Sequence, residues 1–93
     1  MLTFEDFADL VNHSFPVNAG ERSLEMTLVE IKKVPGGVSS GRQPFSLLFR
    51  GPRTPRLPQA MYDFDHPRHG LQSIFIVPVA DNADGRNYEA VFS

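Results

Sequence analysis

Ninety-three residues, 41% apolar and 22% charged, describe one globular domain over 1–93, with a single core and no second lobe. The chain contains no cysteine, which excludes a disulfide framework, a thiolate metal site and a cysteine nucleophile. Its net charge of −2 hides a segregation: Lys32, Lys33, Arg42, Arg50, Arg53 and Arg56 fall between Ile31 and Tyr62, a stretch with no acid, while acids dominate on either side. Such a basic middle is either a surface for an acidic partner or phosphate, or a set of loops kept soluble.

The amino end predicts a short helix. Thr3 can cap it, Asp6 stands three residues on as in a capping box, and Leu2 and Phe7 take the staple positions. Phe4, Phe7, Ala8, Leu10 and Val11 share a stripe, and Pro16 stops the helix near Asn12 to Ser14. A loop at Asn18 to Gly20 is expected next. A long strand follows from Arg22 to Val34, where Leu24, Met26 and Leu28 alternate with polar residues before Val29 and Ile31 change phase. That change requires either burial on both faces or a bulge. Pro35 to Gln43, rich in Gly and Ser, reads as a flexible loop.

Phe45 to Arg50 forms the next strand, with Phe45, Leu47 and Phe49 on one face. Pro52, Pro55 and Pro58 then make a stiff connector that cannot join a central ladder. Tyr62 and Phe64 alternate with Asp63 and Asp65 in a third strand, and His66 to Gly70 is a turn. Leu71 to Val79 is a nearly continuous apolar run, expected to be a central strand buried on both faces, with Pro78 beyond the ladder. Asp84-Gly85 signals a hairpin, and Tyr88, Ala90 and Phe92 face inward on the closing strand. The expected fold is α+β: a short N-terminal helix packed on a five-stranded, mostly antiparallel, strongly twisted sheet or small barrel.

Chemistry is sparse. His66 and His69 beside Asp63 and Asp65 contain ligand-type and acid–base residues, but a His-Pro turn and an amphipathic strand explain them without a metal. Asp81 to Gly85 has the wrong spacing for a calcium loop. Ser39, Ser40, Ser46 and Ser73 lack a nucleophile-elbow context. Pro52-Arg-Thr-Pro55-Arg-Leu-Pro58 is a P-x-x-P-x-x-P segment, read either as a polyproline ligand or as a rigid connector. The aromatics near the arginines (Phe45, Phe49, Tyr62) sit at inward phases, which argues against nucleic-acid binding. An acidic amino terminus and no long apolar run predict no signal peptide or membrane span, hence a cytoplasmic protein.

Six blocks (FSLLFRGP, LPQ at Leu57 to Gln59, Tyr62, His66-Pro67 with Gly70, IFIVPV and YEAVF) resemble a family of small bacterial proteins of unknown function. The blocks cover about half the chain, in order. The resemblance implies genes beside phage-tail-collar or microcystin-dependent-protein-like genes, and so an accessory part in a tail-fibre-like or surface assembly. It carries over no catalytic residue.

The expectation is therefore a non-enzymatic protein-interaction or assembly-accessory module. Its partner-binding residues would be Arg50, Arg53, Arg56, Gln59 and Tyr62, beside an unpaired strand edge. The partner would be a protein such as a tail-collar-like one, not nucleic acid or membrane. No cofactor and no metal is expected, and homo-oligomers would form through sheet edges. The alternative is a small-molecule-binding barrel or hydrolase using Asp63, Asp65, His66 and His69.

Overall fold

Alternation of side chains decides the architecture. In the computed structural model, which describes residues 2–35 and 43–92, Phe45, Leu47, Phe49 and Gly51 of one strand are buried while Ser46, Leu48 and Arg50 face outward. The same period runs round the molecule through β1 (Ser14–Ala19), β2 (Arg22–Lys33), β3 (Phe45–Gly51), β4 (Ala60–His66), β5 (Gly70–Asn82) and β6 (Gly85–Phe92). These strands close into an antiparallel barrel in the order β1-β2-β3-β6-β5-β4. The final joint is Val17 against Phe64 and Asn18 against Asp63. Ser39, Ser40, Arg42 and most of the expected flexible loop lie outside the described residues.

Four expectations are corrected. The described residues form six strands, not five, because Ser14 to Ala19 is a strand paired with Arg22 to Thr27 rather than helix end and loop. Pro16 is tolerated on β1 because it points outward and the β1–β4 pairing covers only Val17 and Asn18. The helix α1 (Glu5–Ala8) is one turn long. A helix that short is not self-sustaining; it ends at Ala8 with Asp9 as its C-cap, and beyond it Asn12 (φ 73°) donates its N–H to the Leu28 carbonyl at 2.7 Å. Lastly, β5 is buried on one face only: Ile74 and Ile76 are inside, while Leu71, Phe75 and Val79 are exposed. Pro78 lies within β5, opposite Tyr88, at a register shift before Ala80. The phase change on β2 is a bulge between Leu28 and Glu30.

The barrel interior is aromatic. Phe15, Phe49 and Phe64 are fully buried and meet one another edge-on or tilted, with centroids 4.7–6.5 Å apart. Helix α1 covers one end by inserting Phe7 among Phe15, Phe45, Phe92 and His66. Half of the expected capping box forms: the Asp6 carboxylate accepts the Thr3 N–H at 2.8 Å, and the helix has no side-chain N-cap bond.

The β4–β5 turn holds this plug in place. Arg68 grips both oxygens of Asp9, at 3.1 and 3.2 Å, and also the Asp6 carbonyl at 2.8 Å. The His69 Nε2 lies 2.9 Å from Asp6 Oδ1. His66 is buried, and its Nδ1 accepts the Arg68 N–H at 3.1 Å. The ring proton therefore sits on Nε2 and is donated to the Asp6 carbonyl at 2.7 Å.

Candidate partner-binding surface

Topology forces a connector across the far end of the barrel. β3 lies between β2 and β6, whereas β4 lies between β5 and β1, so Pro52 to Gln59 must cross the opening between them. Prolines at 52, 55 and 58 stiffen this passage, and the Thr54-Pro55 bond is cis. Leu57 turns inward and plugs the end, 6% exposed. Its N–H donates to the Tyr88 hydroxyl at 3.1 Å. Tyr62, half-buried, donates its hydroxyl to the Pro58 carbonyl at 2.7 Å, and burial raises its phenol pKa, with a smaller contribution from Tyr88.

A second anchor comes from β6. Arg86 shares the inward phase of Tyr88, Ala90 and Phe92, and its side chain is 10% exposed. Its Nε and Nη2 bind both oxygens of Asp81, at 2.5 and 3.1 Å, while Nη1 donates to the Arg53 carbonyl at 2.8 Å. A bidentate guanidinium–carboxylate pair of this kind is geometrically rigid. Hydrogen bonds from Arg86 hold the Asp81 carboxyl below the usual carboxylate range, and the charges of Arg53 and Arg56 reinforce the effect. Asp81 in turn raises the pKa of Arg86.

Fixed in this way, the connector presents Pro52, Arg53, Arg56, Pro58 and Gln59 to solvent. Two shallow depressions flank Arg56. One, of about 200 Å³, is lined by Pro78, Val79, Ala80, Asp81 and Arg86 as well as Arg56. The other, of about 350 Å³, is lined by Arg56, Pro58, Gln59, Val77 and Pro78. They share Arg56 and Pro78, so a basic side chain stands between a largely polar depression beside the Asp81–Arg86 pair and a mixed one walled by Pro58, Val77 and Pro78.

Of the residues expected at the site, Arg56 and Gln59 come together on one groove, and Arg53 lies beside them through its carbonyl bond to Arg86. Tyr62 supports the connector from its inward-facing position on β4. Arg50 stands apart on the outer face of β3, with Cγ close to Gly85. Among the described residues the expected unpaired edge does not occur, because closure gives each of the six strands two neighbours.

Asp81, Arg86 and Pro78 were not among the expected site residues. For Arg86 the signal was available, since it shares the alternation phase of Tyr88 and Phe92. The alternative set does not converge. Asp63 and Asp65 are on the outer face of β4, His66 is inside, and His69 reaches α1. Asp63 accepts the Ser73 hydroxyl at 2.9 Å. Among the described residues no group of three or more His, Asp or Glu side chains is placed to hold a metal, and no helix is long and apolar enough to cross a membrane.

Comparison with curated proteins and with solved structures gives no match. One family model does match, over residues 2–92, and the chain belongs to that family: a domain of unknown function, DUF6916.

Proposed function

We propose that the chain is a non-enzymatic protein-interaction or assembly module, whose binding surface is the connector end of the barrel. The observation that carries this reading is the fixation of Arg53 and Arg56 on a connector tied down at Leu57, Pro58 and Arg53. Two exposed guanidiniums on a pre-organised, proline-stiffened segment beside two shallow depressions suit an acidic segment of a partner protein. Little conformational entropy is left for binding to remove. Arg53 and Arg56 make no side-chain ion pair among the described residues, so their charge is available to a partner. The tail-collar-like protein implied by the family resemblance is the first partner to try.

The test is co-purification with the protein encoded beside it, comparing wild type with the triple variant Arg50→Glu, Arg53→Glu, Arg56→Glu. Retention by wild type and loss by the variant is the expected result. Equal retention by both removes this surface from the account.

A further inference from the structure

We propose that the amino-terminal segment, residues 2–11, is a hinged lid. It swings out about Asn12 while the six-stranded barrel stays closed, and so uncovers an aromatic recess at that end. The lid stands apart from the partner-binding reading, which concerns the connector at the opposite end of the barrel.

The segment takes no part in the ladder, since β1 begins at Ser14. Its backbone bonds close on themselves: the Asp6, Phe7, Leu10 and His13 N–H groups donate to the carbonyls of Thr3, Phe4, Phe7 and Leu10. Among the described residues the first backbone ties to the barrel join Asn12 and His13 to Leu28. The Asn12 N–H donates to the Leu28 carbonyl at 2.7 Å, and the Leu28 N–H donates to the His13 carbonyl at 3.0 Å. Lifting residues 2–11 therefore breaks no strand pair. Asn12 has the left-handed backbone (φ 73°) that asparagine adopts at turns, so the chain changes direction where those ties begin.

Side-chain contacts hold the lid down. Phe7 and Leu10 are buried, and Phe7 is set among Phe15, Phe45, Phe92 and His66. Phe4 meets Phe45 edge-on, with the Lys33 ammonium 5.0 Å from the centre of the Phe4 ring. The polar ties among the described residues come from the β4–β5 turn, where His66, Arg68 and His69 reach Asp6 and Asp9. Arg68 and Asp9 are 45% and 67% exposed, so water competes for that pair and it contributes little. Opening the barrel would instead break strand pairs throughout a closed ladder. A segment with few buried contacts and no ladder bonds opens at lower cost than the whole fold. The recess it leaves keeps its walls. Phe45 and Phe92 stack at 4.7 Å on paired strands, and Phe15 is held on β1 opposite Met26.

Native-state amide exchange of the full chain, followed by NMR, tests this. The Asp6, Phe7 and Leu10 amides should exchange through one shared opening, about a hundredfold or more less protected than the ladder amides of β3 and β6. Their exchange should be nearly independent of urea below the unfolding transition, because a lid exposes little surface. Leu57→Ala loosens the far end of the barrel. It should speed the ladder amides at least about tenfold and leave the lid amides unchanged, since it weakens the lid-open and lid-closed forms alike. Phe7→Ala should leave the lid amides unprotected on a barrel that still unfolds in one cooperative urea transition. Equal protection of the two sets, or lid amides that quicken with the ladder in Leu57→Ala, would overturn the lid. So would a Phe7→Ala chain with no cooperative transition.

Discussion

The hydroxyl of Tyr88 accepts the backbone N–H of Leu57 at 3.1 Å, joining the closing strand to the connector that spans the barrel end. Both groups are buried, so neither has water to replace the other. Tyr88→Phe strands the Leu57 N–H and should cost about 1–3 kcal/mol. Leu57→Ala removes the plug and should cost about 2–4 kcal/mol. Urea unfolding should show a lower midpoint with an unchanged slope in each case.

Acid should loosen both ends of the barrel. The Asp6 carboxyl is held below its ordinary 3.8, first by the Thr3 N–H and then by His69, and Asp81 is held below 3.8 by Arg86. A carboxyl depressed in the folded state stabilises fully above its unfolded value and loses that contribution as pH falls through the folded value. Stability should therefore decline as pH drops below about 3.8. Asp6→Asn and Asp81→Asn should each start less stable at neutral pH and show a flatter decline. Urea midpoints between pH 5 and 2 measure this.

Two glycines separate strain from crowding. Gly85 has φ 150°, and a side chain there would collide with the Gly51 carbonyl, where β6 passes β3. Gly20 has φ 68° but open space around it. Gly20→Ala should cost about 1–2 kcal/mol, the penalty of a left-handed backbone alone. Gly85→Ala should cost more, at least ~2 kcal/mol, because strain and overlap add. Thermal melts of the two variants give the order directly.

Much of the barrel was legible in the alternation of Phe45, Leu47 and Phe49, of Tyr62 and Phe64, and of Tyr88, Ala90 and Phe92, because a half-buried strand imposes that period. β1 was hidden by Pro16, which reads as a breaker when its outward position is unknown. The run from Leu71 to Val79 reads as doubly buried, yet whether Phe75 is covered depends on what packs outside the barrel, which no local pattern contains. For the site, the prolines and arginines of the connector were visible. Asp81 was not, because its pairing with Arg86 depends on the β5–β6 register. The α1 latch was partly visible in Thr3 and Asp6, while Arg68 and His69 reach it only through the fold.

We propose that the fixed arginines of the connector bind a protein partner. Titration of the co-purifying neighbour into wild type and into the Arg53→Glu, Arg56→Glu variant, at rising salt, tests it most directly. Wild type should bind tightly with an affinity that weakens with salt, and the variant should lose binding with an unchanged melting temperature. Equal affinity in the two proteins, with no dependence on salt, would contradict it.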